Sequence, residues 1–273
     1  MSNIANRKII KVKDGSFTKT DDILAVEEPI EISLSMLKAD PPIVNKNISI
    51  TMRTPGNDAD LATGFLYTEG IIFQNHQIDS VVLGLNTANV MLNNTEPIDL
   101  SKIERHFYTS SSCGVCGKSS IDSIKTVCKI VSESKPLLVS KEILHHLPKK
   151  LQAKQEIFDQ TGGLHAAALF DYSGNLLYLR EDVGRHNAVD KLIGAAFIEN
   201  KLPLNQHLLL LSGRASFELI QKASMAGIQF VLAVGAPSSL AVELAEEFGI
   251  TLIGFLNAHR FNIYCGSERV VGS

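Results

Sequence analysis

The sequence predicts an α/β protein of two unlike parts: a smaller β-rich N-terminal domain over residues 1–107 and an α/β domain over 137–273, with a cysteine-bearing loop and helix over 108–136 between them. Three observations predict it. In the first part apolar and polar residues alternate, the period of a half-buried strand. From about Ser140 short apolar runs alternate with helical stripes, as in a sheet covered by helices. Between the two, residues 108–117 are small, polar and glycine-bearing, which suits a loop and not a core strand.

In chain order, Ile23-Leu24-Ala25-Val26 and Ile30-Glu31-Ile32-Ser33-Leu34 read as strands on either side of Glu28-Pro29. Segment 48–52 is a third strand, closed by the turn signal Thr54-Pro55-Gly56-Asn57. Asn57 is expected to cap a helix through Leu61, Phe65 and Leu66 to Gly70, with Asp58 and Asp60 in its first turn. Strands 78–85 and 89–92 follow. After the cysteine loop, Ile121, Ile124, Val127 and Cys128 mark a helical stripe. Ser140 caps a short helix expected to break at Pro148, which then opens a second helix to Phe158. Segments 165–170 and 176–179 form a hairpin. Helix 187–199 carries Val189, Leu192, Ile193, Ala196 and Phe197 on one face. Strand 207–211, helix 215–226, strand 229–234, helix 238–247 and strand 250–254 then complete a largely parallel sheet.

Composition removes several function classes. A net charge of −3 without a long Lys/Arg run gives no footprint for duplex nucleic acid, and the absence of Trp argues against a base-stacking platform. Residues 1–8 lack the apolar core of a secretory signal, and runs such as 208–211 and 230–234 are too short to span a bilayer. With four cysteines, two of them in one motif, the chain is no disulfide scaffold. A reducing, cytoplasmic location and no membrane partner are the expectation.

The chemistry begins at Cys113-Gly114-Val115-Cys116-Gly117. Two intervening residues let both sulfurs face one small volume, the glycines permit a partner's close approach, and a following helix favours the thiolate. Three readings compete. A structural zinc site needs four ligands, and Cys128 and Cys265 are isolated, so the pair supplies half a site and no resident metal is expected. A dithiol oxidoreductase and a persulfide carrier both fit, and the spacing does not separate them.

The charged run Arg180-Glu181-Asp182-Val183-Gly184-Arg185-His186-Asn187 stands where a strand meets a helix. It reads equally as an anion site at a sheet end and as a salt-bridged loop with Asn187 as N-cap. Ser212-Gly213-Arg214 and Gly235-Ala236-Pro237-Ser238-Ser239 repeat that strand-to-helix geometry, which aligns three such turns along one sheet edge, where a nucleotide-bearing ligand would lie. There is no P-loop and no G-x-G-x-x-G. His165 of Thr161-Gly162-Gly163-Leu164-His165 reads as a hydrogen-bonded core histidine, with a site role as the minority option. In Phe255-Leu256-Asn257-Ala258-His259-Arg260 the phenyl ring could stack on a base and Arg260 could pair with phosphate, against the plainer reading of a surface strand pair.

Taken together these segments resemble the formate dehydrogenase accessory sulfurtransferase family, FdhD. The likeness starts at Arg53-Thr54-Pro55-Gly56 and Gly64-Phe65-Leu66-Tyr67-Thr68-Glu69-Gly70, then takes in the Cys113/Cys116 loop, 161–165, 181–191, 212–214 and 235–241, and ends at Arg260-Phe261-Asn262-Ile263-Tyr264. The resemblance implies a cytidine-deaminase-like three-layer fold for the second domain and a homodimer. It implies that sulfur comes from a cysteine desulfurase as a persulfide on Cys113, partnered by Cys116. The acceptor would be the bis-molybdopterin guanine dinucleotide form of the molybdenum cofactor, held by Phe255, Leu256, Asn257, Ala258, His259 and Arg260 and destined for formate dehydrogenase. Where the family often has a further arginine in that segment, this chain has Asn257. Likeness to the deaminases would be of fold only, because His165-Ala166-Ala167 lacks their glutamate and no proline precedes Cys113. The alternative within this family is a non-covalent cofactor-binding chaperone, and a zinc-stabilised interaction module is a third class.

Overall fold

The computed structural model describes residues 2–93 and 137–272. The Cys113/Cys116 loop and the stripe at 121–128 therefore lie outside the described residues. The chain opens with a ribbon of β1 (Ile4–Lys13) and β2 (Ser16–Ala25), antiparallel in unbroken register. Asp14 and Gly15, both at positive φ, make the two-residue turn whose twist matches such a ribbon. Sequence reading found only the end of β2. The rest stands in solvent on both faces, so burial imposes no clean alternation there.

Strands β3 (Glu28–Met36), β4 (Ile43–Arg53), β5 (Ile78–Gly84) and β6 (Thr87–Leu92) form a sheet in the order β4-β3-β6-β5. Ile30, Ile32, Leu34, Ala88 and Val90 fill its inner face and are fully buried. Helix α1 (Asp58–Thr68) follows β4 with Asn57 at its N-cap position as expected, but the Asn57 side chain does not serve as the cap. Asn57 takes a left-handed conformation and makes no side-chain cap bond, and Asp58 is committed to Arg53 instead.

The short β7 (Val139–Ser140) leads into α2 (Lys141–Gln152), capped by the Ser140 hydroxyl, which accepts from the Ile143 amide. The expected break at Pro148 does not occur: the helix runs through it. An interior proline costs about 3 kcal/mol. Leu144, Leu147 and Leu151 each stabilise the helix by roughly 1.5–3 kcal/mol when buried on one face, which outweighs that cost. A separate turn of helix, α3 (Glu156–Thr161), follows.

The second half holds β8 (His165–Asp171), β9 (Leu176–Asp182), α4 (Arg185–Ile198), β10 (His207–Leu211), α5 (Phe217–Met225), β11 (Phe230–Ala233), α6 (Ser239–Glu247), β12 (Thr251–Gly254) and β13 (Asn262–Cys265), with β14 (Val270–Val271) returning to pair with β7. Its six-stranded sheet runs β13-β12-β11-β10-β8-β9. Only the β10–β11 and β11–β12 pairings are parallel, whereas β8 against β10, β9 against β8 and β13 against β12 are antiparallel, so the sheet is mixed and not largely parallel. Alternate residues face two cores. Ala166, Ala168 and Phe170 pack with α2, while Ala167 and Leu169 pack with α4, α5, α6 and the N-terminal sheet. That gives three layers. Among the described residues no helix is long and apolar enough to cross a membrane.

Helix α4 lies in the middle of the larger core. The expected one-sided stripe is replaced by burial from Asn187 to Phe197 all round. It crosses α1 with backbones touching: a methyl group on Gly64 would overlap the Asp190 carbonyl oxygen, and one on Gly194 the Asp60 carbonyl oxygen. Complete burial forces the polar groups of α4 to find partners inside.

Candidate functional site at the sheet edge

Strands β9, β10, β11 and β12 end, and β8 begins, at one edge of the six-stranded sheet. The motif turns from sequence therefore do meet there. Ser212 and Ala166 exchange two bonds, the Ala166 amide donating to Ser212 Oγ at 2.8 Å and the Ser212 amide to the Ala166 carbonyl at 3.0 Å. The Gly235 amide donates to the Gly213 carbonyl at 2.9 Å, and the Phe255 amide to the Gly235 carbonyl at 3.0 Å. Glycine suits the place where these turns stack, since a methyl on Gly235 would lie a tight 3.0 Å from Gly213 backbone atoms.

Beside the turns opens a cavity of about 470 Å³ whose walls include Leu151, Phe158, Gly163, His165, Ser212 and Gly213. His165 is half-buried at its wall and is not a core residue. Burial, then the Arg185 guanidinium, holds its imidazole below the usual range. His186 is pushed down to about 4 by burial and by Arg185 and Lys222, so both rings are neutral near pH 7. Ser216 Oγ at 3.4 Å and Glu218 Oε2 at 3.7 Å both approach Nε2 of His186. A nucleophile relay needs them on opposite ring nitrogens, so this trio is not one. Arg185 has a buried Nε without a hydrogen-bond partner among the described residues.

The segment 255–260 does not line the cavity but shares its supports. Phe255 sits at φ 55, a left-handed conformation that a bulky residue rarely adopts. The Leu256 side chain is buried, and its amide donates to the Ala233 carbonyl at 3.0 Å. Asn257 organises the rest. Its Oδ1 accepts from the His259 and Arg260 amides at 2.9 and 3.0 Å, and its own amide donates to the Arg260 carbonyl. From α2, which also walls the cavity, His145 Nδ1 lies 2.9 Å from the Asn257 carbonyl and its ring packs on Phe261. Ala258, His259 and Arg260 are exposed. Asn257 thus does the work of a turn-former where the family resemblance led one to look for an arginine.

The charged run at 180–187 divides between the two readings of its sequence. Arg180 pairs with Asp60 at 2.8 Å, and Glu181 caps α3 by accepting from the Ile157 and Phe158 amides. Burial still raises Glu181 above the ordinary carboxylate range. Gly184, not Asn187, is the N-cap of α4. Asn187 Nδ2 instead donates to the Met52 carbonyl at 2.8 Å and to Asp182 at 3.1 Å. Asp182 is fully buried, 2.7 Å from Lys191 Nζ, which also donates to the Thr54 carbonyl at 2.8 Å. One turn along, Lys222 bridges Asp190 at 2.9 Å and Glu69 at 3.1 Å. Burial would lower Lys222, but the two carboxylates outweigh it and hold the ammonium above its usual range. Sequence reading missed this seam. Its signal was charge set directly among the apolar residues of a helix, at Asp190 and Lys191.

The model of the FdhD/NarQ family matches residues 25–271. The chain belongs to that family. A protein of Streptomyces coelicolor named sulfur carrier protein FdhD is 48% identical over 97% of this chain and 94% of its own length. One of the same name from Sulfurisphaera tokodaii is 43% identical over 97% and 98%. Among solved structures, one described as a formate dehydrogenase accessory protein, from Desulfotalea psychrophila, matches with a TM-score of 0.75 over 99% of this chain and 100% of that one. At 20% identity that likeness speaks for the fold. The order of motifs over nearly the whole chain, quoted above, is what this family membership accounts for.

Proposed function

We propose that this FdhD/NarQ member is a sulfur carrier that serves formate dehydrogenase, acting as a sulfurtransferase in a reducing cytoplasm. Relatives bearing the sulfur-carrier name at 41–48% identity over almost the full length support the carrier role. In the finer reading, the Cys113 thiolate attacks the terminal sulfur of a persulfide on a cysteine desulfurase, and the donor cysteine leaves as thiolate. Onward delivery as sulfide requires two electrons, which closure of a Cys113–Cys116 disulfide supplies before a cellular thiol reopens it. The acceptor is the bis-molybdopterin guanine dinucleotide cofactor, taken as cargo. The deaminase-like relation of the second domain is one of layers only.

The observation that carries this reading is the convergence at one sheet edge of the stacked 212–216, 234–238 and 254–260 turns, the first two beside a cavity wide enough for a flat heterocycle. Neutral His165 and His186 avoid adding positive charge there, while Arg185, Arg214 and exposed Arg260 offer planar donors to phosphate. Incubation with desulfurase and cysteine, followed by mass spectrometry, tests the covalent step. One added sulfur atom on Cys113, lost in Cys113→Ala, is the expected result. Cofactor binding with no added sulfur would leave the chaperone reading instead.

A further inference from the structure

The fold buries Gln155 and leaves its side chain idle. The residue is only 5% exposed, stands between α2 and α3, and walls the cavity of about 470 Å³. Its backbone groups are satisfied: its amide donates to the Gln152 carbonyl at 3.2 Å, and its carbonyl accepts from the Asp159 amide at 2.9 Å. It holds the N-cap position of α3, yet its side chain makes no cap bond. Glu181 reaches in from β9 and accepts from the Ile157 and Phe158 amides at 3.1 and 3.0 Å, the work a capping residue would do. The Gln155 carboxamide therefore keeps two N–H donors and a carbonyl oxygen without a partner among the described residues. Buried polar groups in folded proteins are nearly always paired, so an unpaired amide on a cavity wall is a group kept for a ligand.

Two neighbours on the same wall are in a like condition. Ser212 Oγ accepts from the Ala166 amide at 2.8 Å, which leaves its own hydroxyl proton to give. His165 lies against Gly213, where a methyl group would come within 3.2 Å of Nδ1, and its ring nitrogens bond to nothing among the described residues. Burial holds that ring neutral near pH 7. Among the described residues no Asp, Glu, Lys or Arg lines the cavity, and Leu151, Phe158 and Leu164 give it apolar faces. Such a wall rejects phosphate or carboxylate, which would lose water without gaining a counter-charge. It accepts a flat, uncharged ring whose edge carries donors and acceptors side by side.

The charged groups stand outside, further along the same edge. In the strand order β8-β10-β11-β12, His165 opens β8, exposed Arg214 follows β10, and Phe255 to Arg260 follow β12. Three strand spacings put the last about 14 Å from the first. Helix α2 backs both ends, with Leu151 on the cavity and His145 on Asn257. The edge thus presents a neutral hollow, then a guanidinium, then an aromatic ring with a second guanidinium. A ligand with a ring at each end of a pyrophosphate matches that order.

We propose that the cavity is the pterin pocket for the cargo and that Gln155 reads the lactam edge of the pterin, with the guanosine half laid on the 255–260 turn. This rests on the reading of the molybdenum cofactor as cargo. The Gln155 amide donates to the pterin carbonyl and its oxygen accepts from the adjacent ring N–H, while Ser212 and His165 serve other ring nitrogens. The pterin takes the hollow because the two sulfurs that hold the metal are carried on its side of the molecule. Sulfur delivered there has to meet the metal before water does. Gln155 is thereby a specificity-determining residue, since a ring without the lactam N–H leaves a buried amide unpaired.

The test measures binding of neopterin to the full chain by quenching of pterin fluorescence. Wild type is expected to bind it. Gln155→Met, which keeps the side chain's length, should bind it about tenfold more weakly, the scale of the hydrogen bonds lost. A pterin methylated at the lactam nitrogen should bind wild type as weakly as neopterin binds Gln155→Met, a comparison that wild type alone supplies if the variant fails to fold. Guanosine diphosphate should bind both proteins alike and leave neopterin in place. Neopterin that does not bind, binding that either change leaves undiminished, or displacement of neopterin by guanosine diphosphate overturns the proposal. Sulfur loading of Cys113, followed by mass spectrometry in the same samples, reports on the carrier reading separately, so failed pterin recognition with intact loading strikes the pocket alone.

Discussion

The stretch 181–191 serves two regions that differ in everything except sequence position. Asp182, Asn187, Asp190 and Lys191 point into the seam between α4 and the N-terminal half, where they are buried and fully paired. Arg185 and His186, from the first turn of the same helix, stay at the sheet edge beside an open cavity. One run of charged residues therefore both rivets the two halves together and equips a candidate site. A buried ion pair is costly to break, because each charge left alone has no water to return to. An edge charge loses little when its partner goes. Ionisable groups clustered in sequence thus mark a site only on the side of the helix that solvent or ligand can reach.

The largest effect should come from splitting that pair. Asp182→Ala strands Lys191 in the core, with an expected loss of about 3–5 kcal/mol in urea unfolding. Adding Lys191→Met should recover much of it. Glu218→Gln, at the edge, should stay within about 0.5 kcal/mol of wild type. Equal losses at the two places would erase the distinction between seam and edge.

The helix crossing that makes the seam is the next place to press. Gly194→Ala puts a methyl group onto the Asp60 carbonyl. Forcing α1 and α4 apart should cost about 1–3 kcal/mol, seen as a lower urea midpoint with an unchanged slope.

The edge should respond in the opposite sense. Phe255 holds a left-handed conformation that costs roughly 1–2 kcal/mol for a residue with a side chain. Phe255→Gly releases that strain but gives up part of the ring's packing, and Phe255 is only 39% exposed. A net gain of up to about 1 kcal/mol is expected, together with weaker binding of guanosine diphosphate to the 255–260 turn. Lower stability with unaltered binding would show that the conformation serves packing and not the ligand.

Much of this layout was legible in the sequence, and the omissions share a cause. Strands β8 to β12 and helices α4 to α6 appear where apolar periodicity places them, because burial on a sheet or helix face imposes that period. Convergence of Ser212-Gly213-Arg214 and Gly235-Ala236-Pro237 at one edge also followed, since strand-to-helix turns of parallel strands must lie at the same end. Local rules failed where a distant partner decided the outcome. Asn187 looked like a cap because cap chemistry is local, yet its amide is used by Met52, far away in sequence. Pro148 looked like a stop because the three leucines that carry α2 across it are rewarded only by the sheet beneath. Gly64 entered only as one letter of a family segment and Gly194 lay unremarked inside a helical stretch, and only the crossing gives them a purpose.

The smallest expected effect separates the regions by pH. The folded state holds His186 near 4, below the ordinary 6.5, chiefly through burial and the neighbouring Arg185 and Lys222 charges. Between those values the unfolded chain binds a proton that the folded chain refuses, so stability rises with pH across the window and falls as pH drops from 6.5 towards 4. His165 acts in the same direction. Glu218 is held below its ordinary value and loses its contribution only under more acidic conditions. Since the His186 side chain is 37% exposed, screening should keep its share below about 1 kcal/mol. Unfolding at pH 7 and pH 5 should therefore show a shallower loss in His186→Gln than in wild type. An unchanged pH slope in His186→Gln would place the acid sensitivity elsewhere than the sheet edge.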